Sequence, residues 1–156
     1  EINITLLMVG SALTQKNFDG NNPWNQDLLK VRQMSKNDKR IIALGFIDKE
    51  DLISLYNLAT VFVMPSLYEG FGLPVLEAMS CGCPVVTSKG GSLEEIGGEA
   101  VLYVDPYDIN DIANGIGEVY FNSSVAGELS KKGLVQAKKF SLKSLALETI
   151  KIYESV

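Results

Sequence analysis

No stretch constrains the fold of this chain more than Val61 to Lys89, VFVMPSLYEGFGLPVLEAMSCGCPVVTSK. The run Thr60 to Met64 is short, apolar and rich in β-branched and aromatic residues, the pattern of a buried strand. Pro65 to Gly72 then reads as a loop with two glycines, Gly70 and Gly72. Pro74 suits the first turn of a helix, where its missing N–H has no partner to lose. That helix is expected to reach Ser80, carrying Val75, Leu76, Ala78 and Met79, with Gly82 ending it. Pro84 to Thr87 reads as the next buried strand. A strand, a loop, a helix and a second strand make the repeating unit of a parallel α/β sheet.

The same stretch carries the chemistry. Glycines at 70 and 72 let backbone approach a ligand closely and adopt positive φ. The helix after the loop directs its first N–H groups and its positive dipole end back at that loop, which makes an anion site. Glu69 lies in the loop and Glu77 about one turn into the helix. Carboxylates accept hydrogen bonds from neighbouring hydroxyls, so the pair suits a polyhydroxylated ligand. A molecule with phosphates at the helix terminus and sugar hydroxyls on the carboxylates fits both features. A lone E-G-x-G also serves as an ordinary turn, so the surrounding pattern has to decide.

Composition narrows the partners. The 156 residues suit one domain, and 46% hydrophobic with 21% charged residues supplies a full core. Fourteen basic residues against 19 acidic ones give a net charge of −5, which argues against nucleic acid but leaves a nucleotide open. The chain has no histidine, so the commonest general base and metal ligand is missing. Cys81 and Cys83 stand one residue apart with no further Cys or His to complete a zinc site; they read as small packing residues, and no metal is expected. No apolar run approaches the ~18 residues of a membrane span.

Along the chain, Ile2 to Val9 reads as a buried strand ending at Gly10, and Ser11 to Asn25 as a polar, mobile loop containing Lys16 and Trp24. A helix is expected over Gln26 to Met34 and a strand over Arg40 to Leu44, followed by the turn Gly45-Phe46-Ile47. Asp48 is the expected N-cap of a helix over Lys49 to Ala59, with Asp51 at its third position. After the central stretch, Gly90-Gly91-Ser92 leads into a short helix over Leu93 to Ile96. A strand over Ala100 to Val104 and helices over Ile109 to Phe121, Val125 to Phe140 and Leu142 to Glu154 complete the chain, with Ser141 as a cap. The order predicts a doubly wound parallel sheet of about five strands. In such sheets ligands sit at the C-terminal ends of the strands, here Gly10, Gly45 to Ile47, Pro65 to Gly72 and Ser88 to Ser92.

Glu69 and Glu77, separated by seven residues, with G-F-G-L-P between them and E-A-M-S-C-G-C-P-V-V following, closely resemble the E-x7-E segment of retaining glycosyltransferases of GT-B fold. The chain is similar to the C-terminal, donor-binding domain of the glycosyl transferases group 1, or family 4 type, which includes many mannosyl- and glucosyltransferases. The resemblance runs from about Leu6 to the C-terminus. It implies a Rossmann-like domain, half of a GT-B fold, that binds a GDP- or UDP-sugar without a metal cofactor. By matched motif, Glu77 would hydrogen-bond the ribose and Glu69 would face the transferred sugar near its anomeric centre. Gly70 belongs to the same loop, and the backbone of Phe71, Gly72 and Leu73 would contact sugar hydroxyls and phosphate. The turn at Phe46 and Ile47 resembles the family's base-binding turn; core packing after a strand explains it equally well.

The resemblance also has gaps. The family's donor domain opens with a strand and a loop whose Arg and Lys hold the diphosphate, and this chain begins at the equivalent of the second strand. Lys16 lies in a different loop and takes no such role. The expectation is therefore a single domain over 1–156, a fragment lacking the first strand and the N-terminal acceptor domain and inactive by itself. The full-length enzyme would transfer a hexose, mannose or glucose, to a glycan or lipid-linked acceptor, in the cytoplasm or at the inner membrane face. Two other readings stay open: a GT-B epimerase that hydrolyses its donor, against which the missing histidine counts, and a non-catalytic nucleotide-binding module.

Overall fold

A computed structural model describes residues 4–15, 17 and 19–155. The chain divides into two compact units, Glu1–Leu52 and Ile53–Val156.

In the first unit, β1 (Leu6–Val9) pairs in parallel with β2 (Ile41–Gly45), with a register shift between Met8 and Val9. The strand expected from Ile2 begins at Leu6; residues 2 and 3 lie outside those described, as does Lys16. The stretch read as a mobile loop holds a short helix, α1 (Ser11–Thr14), and a 3-10 turn, Pro23–Asn25. Local bonding explains the difference: the Gln15 N–H donates to the Ser11 carbonyl, and Arg32 reaches across to the carbonyls of Ala12 and Gln15. The next helix, α2 (Gln26–Asn37), runs one turn past its expected end. A third helix, α3 (Lys49–Leu58), contains the boundary between the units. Asp48 caps it as expected, accepting from the Asp51 N–H at 3.0 Å.

The second unit is a three-stranded parallel ladder in the order β3 (Phe62–Met64), β4 (Val85–Thr87), β5 (Leu102–Tyr103). Between the strands run α4 (Leu73–Ser80) and α5 (Leu93–Gly97), and after them α6 (Ile109–Phe121), α7 (Ser123–Ala137) and α8 (Leu142–Glu154). Asp108 caps α6 through the N–H groups of Asn110 and Asp111, and Ser141 caps α8 through that of Ser144. The core is built from Val75, Ala78 and Met79 of α4, Val85 and Val86 of β4, and Leu93 and Ile96 of α5, all essentially without solvent contact. A continuous apolar strand such as β4 is what a parallel sheet covered on both faces demands. The five strands and their parallel direction follow the sequence expectation, while their pairing divides into two ladders, β1–β2 and β3–β4–β5.

Candidate functional site

The loop between β3 and α4 is fastened on one side to the segment after β4. The Thr87 hydroxyl donates to the Met64 carbonyl at 2.8 Å, and the Ser88 hydroxyl to that of Ser66. Further out, Glu69 and Gly91 form a parallel bridge, and the Ser92 N–H and hydroxyl both donate to the Glu69 carbonyl, at 3.1 and 3.2 Å. Gly91 has φ +64°, and a Cβ there would run into the Glu69 backbone, so only glycine fits this close approach. The half-buried Glu69 side chain is oriented in turn, its Oε1 accepting from the Ser66 hydroxyl at 2.8 Å. Glu69 is therefore held twice, its backbone by Gly91 and Ser92 and its side chain by Ser66.

At the other end of the loop, Gly72 is the N-cap of α4 in the left-handed region, with φ +91° and ψ +37°. A Cβ at Gly72 would lie 2.8 Å from Leu93 Cδ2, so helix α5 closes the space behind it. Its carbonyl accepts the N–H groups of Val75 and Leu76 and starts the helix. Gly70 differs: its φ is not positive and a Cβ would meet nothing within 4 Å. The fold requires glycine at 72 and not at 70, where the missing side chain only leaves open space beside Glu69. Pro74 occupies the first turn of α4, as its fixed φ favours.

Glu77 projects from α4 and is exposed, with Oε2 accepting from the Tyr56 hydroxyl at 3.4 Å. Burial, and then the Glu77 charge, push the Tyr56 phenol well above its ordinary value, so it stays a donor. Tyr56 is held by an edge-on contact with Phe62, ring centroids 5.3 Å apart. The Phe71 ring is 47% exposed and rests edge-on against Phe140, and Leu73 is also exposed. The second unit thus brings Glu69, Gly70, Phe71, Gly72, Leu73 and Glu77 onto one loop and the helix it leads into. Phe46 and Ile47 belong to the first unit, in the turn after β2, where Phe46 is 81% exposed and Ile47 half-buried. There the Gly10 N–H donates to the Gly45 carbonyl at 2.8 Å, joining two of the expected strand-end loops.

Sequence reasoning passed over Ser66, Ser88, Ser92, Gly91 and Tyr56, which position the carboxylates. Ser88 to Ser92 was expected as one of the strand-end loops and, from Gly90, as the lead into a helix; its hydroxyl-rich T-S-K-G-G-S was the available signal for these contacts. Cys83 is buried, its thiol pushed up to about 11 mainly by burial, and Cys81 is shifted the same way by burial and by Glu77. Both thiols stay protonated and act as packing groups. Among the described residues, no group of three or more His, Cys, Asp or Glu side chains could hold a metal ion.

A parallel α/β unit with a glycine-capped helix, one carboxylate in the loop before that helix and a second on the helix itself defines a Rossmann-like domain of the kind found in GT-B enzymes. The chain belongs to the glycosyl transferases group 1, whose pattern it matches over residues 1–136. It is 42% identical over 138 residues to O-antigen chain mannosyltransferase B of Escherichia coli, covering 88% of this chain and 36% of that protein. MMP alpha-(1->4)-mannosyltransferase of Mycolicibacterium hassiacum is 33% identical, over 83% of this chain and 34% of its own length. Among solved structures, sucrose-phosphate synthase from Thermosynechococcus elongatus superposes with a TM-score of 0.79 at 32% identity, covering 97% of this chain and 38% of that one. Anabaena HepE, solved with UDP and glucose, gives a TM-score of 0.82 at 21% identity over the whole of this chain and 42% of its own, a likeness of fold alone. The chain therefore spans little more than a third of the length of these two mannosyltransferases.

Proposed function

We propose that this chain is the donor-binding part of a longer retaining glycosyltransferase that transfers a hexose from a nucleoside-diphosphate sugar. Mannose is the favoured hexose, because relatives at 42% and 33% identity are named mannosyltransferases. The observation that carries the reading is the placement of Glu69. Its carboxylate is set by Ser66, and its backbone is locked to Gly91 and Ser92, three residues before the αL cap that opens the N-terminus of α4. A sugar diphosphate fits this arrangement with its phosphates on the first N–H groups of the helix and its sugar hydroxyls on Glu69. Glu77, on the same helix, takes the ribose hydroxyls.

In the mechanism we infer, Glu69 orients the donor sugar rather than attacking it, because its Oε1 is already engaged by Ser66. The leaving diphosphate gathers charge at the helix terminus, where preorganised N–H donors stabilise it. The division of the strands supports the fragment reading. In the doubly wound order the second and fourth strands are joined only through the first, so a chain lacking the first strand keeps a two-stranded and a three-stranded ladder, the pairing seen here. The acceptor, glycan or lipid-linked, would sit largely on the remainder of the longer protein. Cytoplasmic residence at a membrane face belongs to the same proposal; among the described residues no helix is long and apolar enough to cross a membrane.

Calorimetry with UDP, GDP and their sugars tests the reading on this chain. Glu77→Ala should weaken nucleotide binding by about 1–3 kcal/mol, the worth of hydrogen bonds to a charged group, while the fold survives. Equal affinity in parent and variant would remove Glu77 from the site.

A further inference from the structure

A cavity opens beside the loop that carries Glu69. It has a volume of about 430 Å³ and lies at the C-terminal ends of β4 and β5, lined by Leu67, Lys89, Gly90, Tyr103, Asp105 and Tyr107 among others. That volume falls within the range of small-molecule sites, roughly 300–1,000 Å³. None of these residues belongs to the motif from Glu69 to Glu77.

The chemistry of the walls selects the ligand. Two tyrosines line the cavity. The Tyr103 hydroxyl is committed to the Glu94 carbonyl at 3.2 Å, and Lys89 Nζ stands 5.3 Å over the ring. Tyr107 is 81% exposed and offers its ring to solvent. Its backbone is set by a tight turn: its N–H donates to Asp105 Oδ1 at 2.9 Å, and the Asp105 N–H donates to Asp111 Oδ2 at 2.6 Å. An exposed aromatic ring on a braced turn is an amphipathic platform held ready for a ligand face. Lys89 is paired with Glu94 at 3.1 Å, and Asp105 adds a negative charge to the same cavity, so the walls carry charges of both signs rather than the cluster of cations a phosphate calls for. Apolar faces edged by an ammonium and a carboxylate suit a neutral polyol, whose ring C–H groups lie on the tyrosine and whose hydroxyls meet the charged groups.

The cavity is also in fixed relation to Glu69. Leu67 and Gly90 form one of its walls, and a Cβ at Gly90 would collide with the Leu67 carbonyl, so the two backbones are in direct contact. One residue further along, Gly91 bridges Glu69. We propose that this cavity is a saccharide subsite that holds a neutral pyranose unit of the acceptor glycan, beyond the unit that reacts, with Tyr107 as its stacking platform. The inference rests on the glycosyltransferase reading and adds to it a contribution to acceptor binding from the donor-side domain.

Saturation-transfer NMR on this chain, with mannotriose and maltotriose as probes and GDP and UDP in parallel, tests it. Transfer to the ring protons of at least one trisaccharide is expected. Tyr107→Ala should cut that transfer at least fivefold and Lys89→Ala at least twofold, with nucleotide binding unchanged within twofold. Tyr153→Ala, an equally exposed tyrosine on α8, should change nothing. Because Tyr107 is exposed, its replacement should leave the melting curve intact, and circular dichroism checks this. Absence of transfer to both sugars in a chain that still binds nucleotide overturns the subsite and leaves the donor site standing. Equal transfer in Tyr107→Ala overturns it too, as does displacement of the trisaccharide by nucleotide, which would place the sugar in the donor site. A chain that binds trisaccharide and no nucleotide would instead sink the donor reading.

Discussion

Strands β4 and β1 are both short, apolar and parallel, and they meet different fates. Val85, Val86 and Thr87 of β4 have no solvent contact, whereas Leu6, Leu7 and Val9 of β1 are 48%, 42% and 45% exposed. The difference lies in their neighbours. β4 has β3 on one edge and β5 on the other, and helix α6 packs so near that a Cβ at Gly115 would lie 3.5 Å from Val86 Cγ1. β1 has β2 on one edge and, among the described residues, no strand on the other. An apolar run states what a strand needs; burial follows only where other elements supply both edges and both faces.

Large-to-small substitutions sharpen that contrast. Met79→Ala, at a residue of α4 with no solvent contact, should destabilise the second unit by about 2–5 kcal/mol, since it removes buried methylenes and leaves a cavity. Leu7→Ala, at 42% exposure in β1, should lower stability by less than ~1 kcal/mol, because less area returns to water. Urea midpoints for the two variants measure both, and equal losses would break the comparison.

The next effect belongs to the site. Gly72→Val places a β-branched residue at φ +91°, with its Cβ 2.8 Å from Leu93. Backbone strain alone should cost about 1–3 kcal/mol, and nucleotide binding should be lost because the start of α4 is displaced. Normal stability with normal binding would make Gly72 only a turn residue. By contrast Gly70→Ala, in open space, should leave stability within about 0.5 kcal/mol, so any loss of nucleotide binding there reports on the ligand.

The smallest effect is electrostatic and lies in the first unit. Arg40 holds the Asp38 carboxyl down to about 2 from its ordinary 3.8, first through side-chain hydrogen bonds and then through its backbone N–H. A carboxyl depressed in the folded state stabilises it at pH values above the unfolded value and loses that contribution as pH falls toward the folded one. The melting temperature of Asp38→Asn should therefore lie slightly below that of the parent at neutral pH. The gap should close as pH drops from about 4 to about 2, and salt should shrink it, since the pair is exposed. A gap independent of pH would assign the effect to packing.

What was legible in the sequence was whatever local chemistry decides. Helices α6 and α8 span the ranges expected of them and Ser141 caps α8 as expected, while Asp108, the cap of α6, was not read from the sequence. Asp48 starts α3, and Pro74 with Gly72 starts α4, because a cap needs only residues within one turn of itself. Glu69 and Glu77 stood out because their spacing and the glycines between them are carried by a single continuous stretch. Helix α1 was not expected: its four residues are too few to show a period, and Arg32, 17 to 20 residues away, braces it through the carbonyls of Ala12 and Gln15.

The sequence by itself determined the α/β class, the parallel strand–helix alternation and the loop that holds the carboxylates. The tertiary structure alone decided how the strands pair, which apolar residues are covered, and what orients the site. Glu69 is set by Ser92 and Gly91, more than twenty residues downstream, and Glu77 by Tyr56, 21 residues upstream. Such partners are chosen by packing across the fold, and no local propensity or spacing encodes a contact between residues that meet only once the chain has closed.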